Sequence, residues 1–230
     1  FSKGYFTDKF NNENFEGCTY ENFDIQEIDA FAEIIKNTPD LKGLNVTIPY
    51  KEAVIPFLDK LSKKAALIGA VNTIKITKKG KLKGYNTDYY GFKKALEPLL
   101  KSHHKKALIL GTGGASKGVA FALDELNIPY TFVSREATEN AIDYNRINAT
   151  TFDNYQIIIN STPLGTSPNT EAFPLIPYEY FTKNHIAFDL IYNPAETQFL
   201  KKAKEQGAQI KNGLDMLIFQ AEKAWDIWNK

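Results

Sequence analysis

Apolar positions along the 230 residues fall into two kinds of pattern, short continuous runs and stripes at helical spacing. The clearest alternation lies between residues 106 and 133. Lys106-Ala107-Leu108-Ile109-Leu110 is too short for a helix and long enough for a buried strand. Gly111-Thr112-Gly113-Gly114-Ala115-Ser116 interrupts it. Residues 118–126 then place apolar side chains at 119, 122, 123 and 126, which predicts a helix. Tyr130-Thr131-Phe132-Val133, after Pro129, reads as a second strand.

The same reading extends in both directions. Residues 1–13 predict an opening helix with Ser2 as N-cap. The alternation over 18–25 predicts a strand, 28–36 a helix stopping near Pro39, and 44–48 a strand closed by Pro49. Residues 51–67 look helical, interrupted at Pro56. Residues 71–76 and 81–85 form a hairpin about a Lys-Lys-Gly turn. A helix over 88–100 opens on Asp88, where the helix dipole favours an acid. The polar stretch 101–106 is a junction, with His103 and His104 at the surface. Residues 136–154 hold no long helix. Strands follow at 156–160, 186–190 and 208–210, with a helix over 196–206 and a final one over 214–228. Such alternation predicts an α/β fold with parallel sheets. Two units follow, 1–100 and 101–211, with the last helix (212–230) left to pack on one of them. Trp225 and Trp228 are expected to pack that helix.

Composition narrows the function classes. Hydrophobic residues make up 43% and charged residues 24%, as in ordinary globular proteins. A net charge of +1 removes the electrostatic case for nucleic acid or an acidic membrane. Cys18 stands alone, so no intrachain disulfide is expected, and a reducing cytoplasmic setting fits. No apolar run reaches the length of a membrane span, no signal peptide is recognised, and no residue cluster suggests a metal.

Strand, glycine turn, helix and strand is the context of a dinucleotide fingerprint. The glycines let backbone approach a pyrophosphate, and the helix N-terminus offers N–H groups and partial positive charge. Ser116 replaces the third glycine of the usual pattern. At the end of the second strand, where an NAD site has Asp or Glu, stands Ser134-Arg135. Arginine suits a 2′-phosphate, so NADP is expected, with Glu136 an opposing charge. Polar clusters fall at the C-terminal ends of strands: Asn45/Thr47/Lys51, Asn72/Thr73 with Asn86/Thr87/Asp88, and Asn160/Thr162. Hydride exchange between a carbonyl and an alcohol moves one proton at that oxygen. A lysine oriented by an aspartate, Lys51 and Asp88, could carry it.

Six motifs in order resemble the shikimate dehydrogenase family: residues 45–51 (NVTIPYK), 69–73 (GAVNT), 84–88 (GYNTD), 111–116 (GTGGAS), 160–165 (NSTPLG) and 212–217 (NGLDML) with Gln220. The resemblance implies Lys51 and Asp88 as catalytic pair. Ser2, Thr47, Asn72, Asp88, Tyr192 and Gln220 would bind substrate, Ser2 as the second serine of the family's Ser-x-Ser. Gly111, Gly113, Gly114, Ala115 and Ser116 would hold the pyrophosphate, Ser134 and Arg135 the 2′-phosphate end, and Thr162, Gly213 and Met216 the nicotinamide end. It also implies NADP(H) as cofactor, a final helix returning to the first unit, a cleft that closes by a hinge, a small-molecule substrate, and a monomer or homodimer. The sequence opens at Phe1, between the places of the family's two serines, and has Ser134-Arg135-Glu136 where Asn-Arg-Thr is usual. A relative using quinate or NAD is the nearest rival, and an idle ligand sensor the rival from another class.

Overall fold

The computed structural model describes residues 1–230. Helix α1 (Ser2–Asn12) has Phe1 as N-cap and no side-chain cap, so Ser2 is a first-turn residue and not the expected cap. Residues 18–25 form no strand. Their polar residues fall on both alternating faces and Phe23 is exposed, so no apolar face forms for a sheet to bury. Side chains hold the stretch instead. The Tyr20 hydroxyl donates to Asn45 Oδ1 at 2.9 Å, and the Tyr50 hydroxyl to the Ile25 carbonyl at 3.0 Å.

After α2 (Ala30–Asn37) comes a short strand, β1 (Gly43–Asn45). The expected helix over 51–67 is replaced by a turn, a 3₁₀ turn holding Pro56, strand β2 (Lys60–Leu61) and helix α3 (Lys63–Ile68). Proline removes a backbone donor, and Ser62 restarts the helix by accepting from Ala65 N at 3.2 Å. Strands β3 (Thr73–Ile76) and β4 (Leu82–Tyr85) form the hairpin. The sheet runs β1-β3-β4-β2, antiparallel except where β2 meets β4. It is therefore mixed rather than parallel, because the tight 77–81 turn can only join antiparallel strands. Helix α4 (Asp88–Leu96) ends ahead of a 3₁₀ turn holding Pro98.

The second sheet is wholly parallel. Its elements are β5 (Ala107–Leu110), α5 (Gly114–Glu125), β6 (Tyr130–Ser134), β7 (Ala141–Asp143), α6 (Ala149–Asn154), β8 (Ile157–Asn160), β9 (Ile186–Asp189), α7 (Gln198–Glu205) and β10 (Gln209–Lys211). Strand order is β10-β9-β8-β5-β6-β7, so the winding reverses between β5 and β8. A crevice at such a point, outside the carboxyl ends of the strands, is where open α/β sheets bind ligands. β7 is an element the polar 136–154 stretch concealed. His104, expected at the surface, is buried ahead of β5, where its Nδ1 accepts from Lys101 N at 2.9 Å.

Helix α8 (Leu214–Asn229) leaves the second sheet and returns to the first. The Trp228 indole donates to the Ile74 carbonyl at 2.9 Å, and Ala221 shares a core with Phe6 and Phe10, against which Trp225 packs. No helix is long and apolar enough to cross a membrane.

Candidate active site

Lys51 lies in the turn after β1, where its carbonyl accepts from Val71 N at 2.7 Å. Asp88 opens α4, with Thr87 as N-cap. Their side chains meet, Lys51 Nζ donating to Asp88 Oδ2 at 2.8 Å with 14% and 9% of the side chains exposed. Both carboxylate oxygens have a donor, since Asn72 Nδ2 reaches Asp88 Oδ1 at 2.9 Å. Asn72 Oδ1 in turn accepts from Thr87 N at 2.6 Å. Gln220, from α8, brings Oε1 to 3.3 Å from both Asn72 Nδ2 and Thr87 Oγ1, and its own amide donates to Leu217 O at 3.0 Å. Lys51, Asn72, Asp88 and Gln220 thus form one hydrogen-bonded set drawn from a turn, a strand end and two helices. Thr73 joins it at 3.2 Å from Thr87 Oγ1.

The other expected substrate residues stand apart from this set. Thr47 is exposed on the turn leading to Lys51 and has only its carbonyl engaged, by Tyr50 N at 2.9 Å. Ser2 sits in the first turn of α1. Tyr192 is 38% exposed, with the Phe1 ring against it edge-on at 5.6 Å, so the start of α1 and the loop after β9 are neighbours.

The glycine turn faces the ion pair. Gly111 has φ +102, a backbone only glycine adopts without strain. Gly113 has open space where a Cβ would stand, and no side chain caps α5 there, leaving the first N–H groups free. A Cβ at Gly114 would lie 3.8 Å from Glu52 Oε1 and 3.9 Å from the Lys51 Cβ. Gly118, one turn on, lets α5 approach α4, since its Cβ would lie 3.3 Å from that of Asp88. Ala115 is half-buried in the first turn of α5. Ser116 is buried, and its hydroxyl donates to the Gly113 carbonyl at 2.6 Å, bracing the turn. Glu52 and Lys117 pair across the same gap at 2.7 Å.

At the end of β6 the Ser134 hydroxyl donates to the Glu136 carbonyl, which folds that loop back on itself. Arg135 and Glu136 are exposed. Burial raises the Tyr144 phenol pKa, and the nearby Arg135 charge opposes the rise. Thr162 donates to Asn160 Oδ1 at 2.6 Å. Met216 is buried, and a Cβ on Gly213 would strike the Leu190 carbonyl.

One group was missed from sequence. Asp189 is fully buried at the end of β9, accepting from Thr197 Oγ1 at 2.6 Å, Ile191 N at 3.0 Å and Asn160 Nδ2 at 3.1 Å. Burial pushes its pKa up to about 6 against the pull of those donors. Through Asn160 it holds Thr162. The available signal was an acid inside the apolar run Ile186-Ala187-Phe188-Asp189-Leu190.

Comparison with known proteins agrees with this geometry. Residues 1–74 match the model of the shikimate dehydrogenase substrate binding domain. The chain is 40% identical to the shikimate dehydrogenase (NADP(+)) of Methanosphaera stadtmanae, covering 88% of this chain and 78% of that one. It is similar to the crystal structure of shikimate dehydrogenase from Aquifex aeolicus, with a TM-score of 0.87 at 33% identity over 99% of this chain and 87% of the other. The Thermus thermophilus enzyme, solved with NADP(H) and shikimate, has a TM-score of 0.86 at 32% identity over the same shares, 99% and 87%.

Proposed function

The chain belongs to the shikimate dehydrogenase family, and from that membership we propose that it catalyses the reversible NADPH-dependent reduction of 3-dehydroshikimate to shikimate, in chorismate and aromatic amino-acid biosynthesis. The observation that carries the reading is the Lys51–Asp88 pair at 2.8 Å with the glycine turn packed against Lys51. Proton donor and dinucleotide cradle face one another across one cleft.

The residues fit NADP. The open space at Gly113, the uncapped start of α5 and the exposed cation at Arg135 suit a pyrophosphate and a 2′-phosphate. Gly111, Gly113, Gly114 and Ala115 would take the pyrophosphate, Ser116 would brace their turn, and Ser134 and Arg135 would meet the adenosine end. Thr162, Gly213 and Met216 would flank the nicotinamide. When bound, the nicotinamide supplies or accepts the hydride. Lys51 gives a proton to the substrate oxygen in reduction and takes one in oxidation. Asp88 keeps the ammonium ionised and aimed. Asn72 fixes Asp88 and, with Gln220, Thr47, Ser2 and Tyr192, meets the hydroxyls and carboxylate of the substrate. A site built to pair hydroxyls rejects analogues lacking them, because its own polar groups are then left unpaired.

We place the substrate unit at 1–100, the nucleotide unit at 101–211 and the returning helix at 212–230. The enzyme would work as a monomer or homodimer, in the cytoplasm, where a lone thiol such as Cys18 stays reduced.

The test is absorbance at the reduced-nicotinamide band, with shikimate and NADP or NAD in parallel. Signal with NADP is expected. A signal with NAD alone would overturn the cofactor assignment, and binding of NADP and shikimate without any hydride transfer would return the idle sensor. Lys51→Ala should lower turnover at least about a hundredfold with thermal unfolding unchanged. Turnover near the parent value would remove Lys51 from the mechanism.

A further inference from the structure

Next to the catalytic set lies a cavity of about 580 Å³. Its walls are the β3–β4 hairpin, the start of α3 and the last turns of α8. Six lysines line it, Lys63, Lys64, Lys75, Lys83, Lys223 and Lys230, and no acidic side chain does. Lys64 alone has an acidic partner, Glu125 at 2.5 Å, outside the cavity lining. Strand alternation explains part of the convergence. Lys75 and Lys83 are cross-strand partners in the hairpin register, so both point to one face, with Thr77 two residues beyond Lys75.

Like charges directly opposite on a sheet destabilise it, and here four further cations, from α3 and from α8 and its C-cap, line the same cavity. Aromatic rings fix several of them without neutralising them. Lys64 Nζ stands 4.6 Å from the centre of the Tyr89 ring, Lys83 Nζ 5.1 Å from Tyr85, and Lys223 Nζ 4.9 Å from Tyr90. Ser62, Thr77 and Asn86 add neutral hydrogen-bonding groups to the wall. A concave site of this volume is of the size that takes a small molecule, about 300–1,000 Å³. Ammonium groups bind phosphate as point charges, and the wall has no arginine to grip a carboxylate in a fork.

We propose that this cavity is a binding site for a small polyanion carrying two or more phosphate groups. One phosphate leaves most of the ammonium groups unneutralised; a chain of linked phosphates spans them. The site adjoins the catalytic set without sharing its side chains. Asn86 and Tyr89 flank Thr87 and Asp88, and Lys223 lies one helical turn beyond Gln220. A bound polyanion would thus rest on α4, which carries Asp88, and on α8, which carries Gln220.

Inorganic tripolyphosphate is the probe, titrated calorimetrically into the full chain at low salt with NADP saturating, so that the glycine turn is already filled. The expected result is saturable binding of one tripolyphosphate per chain, with orthophosphate much weaker. Lys75→Gln/Lys83→Gln should weaken it at least about tenfold, as loss of two nearby charges requires. Lys223→Gln should weaken it as well, and no variant should unfold at a lower temperature than the parent. Absence of saturable heat at millimolar tripolyphosphate, equal affinity for orthophosphate, or unchanged affinity in the double variant would each overturn the proposal.

Discussion

Asn72 shows how little chain is needed to aim the Lys51–Asp88 pair. One carboxamide accepts from Thr87 N at 2.6 Å and donates to Asp88 Oδ1 at 2.9 Å, so the start of α4 and its first carboxylate are fixed together. Asp88 is left a single oxygen for Lys51, and the ammonium has one direction to point. The proposed cofactor choice also rests on single residues. Arg135 and Glu136 carry opposite charges on adjacent exposed positions, and the loop is folded by Ser134 onto the Glu136 carbonyl. Arg135→Ala should reduce kcat/KM for NADPH by roughly ten- to a hundredfold, the size of a charge-assisted contact, and leave NADH little changed. Equal losses with both cofactors would mean that Arg135 does not meet the 2′-phosphate. At this scale the sequence was most legible where residue type and chemistry coincide. Lys51, Asn72, Asp88 and Gln220 came from motifs and are joined in space. Asp189 did not, because an acid inside an apolar run looks like a strand end until its three donors are visible. The Ser116 hydroxyl donates to the Gly113 carbonyl, a bond within the glycine turn that residue type alone does not reveal.

Helices α4 and α8 are the elements on which the site depends, since one carries Asp88 and the other Gln220. They approach closely because Gly91 has no side chain; a Cβ there would strike the Met216 carbonyl and sit 3.1 Å from both the Cβ and N of Gln220. Gly91→Ala should destabilise the fold by about 1–3 kcal/mol, as overpacking does, and push Gln220 away from Asn72. Urea unfolding together with KM for shikimate would check both effects. A variant of parent stability and parent KM would show that the helices tolerate separation. Elements with one dominant pattern were read well: the parallel strands, the hairpin and the final helix. Failures came where local chemistry overrode pattern. Residues 18–25 alternate without an apolar face, Pro56 and Ser62 break what looks like one helix, and β7 has three residues, below the length at which periodicity speaks. The first sheet is mixed because β1, β3 and β4 pair antiparallel, and only the two-residue β2 pairs parallel.

Across the whole molecule two buried titrating groups sit at opposite ends of the parallel sheet, and they act on stability in opposite senses. Asp189, at the carboxyl end of β9, has its pKa raised from 3.8 to about 6, chiefly by burial. Between those values the folded chain keeps a proton that the unfolded chain has released. Its contribution is therefore full below about pH 4 and is lost as pH rises through about 6. His104, ahead of β5, has its pKa lowered from 6.5 to about 4, first by burial and then by the charge of His103. There the unfolded chain holds the extra proton, so the contribution is present above about pH 6.5 and is lost as pH falls through about 4. The two slopes overlap between about pH 4 and 6 and partly cancel in the parent chain. Removing one should uncover the other. Asp189→Asn should give a stability that climbs more steeply with pH than the parent's over that window, by a difference on the order of 2–3 kcal/mol. His104→Gln should give one that falls relative to the parent over the same window. Urea midpoints at three pH values per variant would decide it: curves that run parallel to the parent's for both variants would mean that neither group titrates across the unfolding transition. The two ends also differ in what they touch. Asp189 holds Asn160 and through it Thr162 beside the cleft, so Asp189→Asn should also raise KM for NADPH, whereas His104→Gln, at the amino ends of the strands, should leave it unchanged.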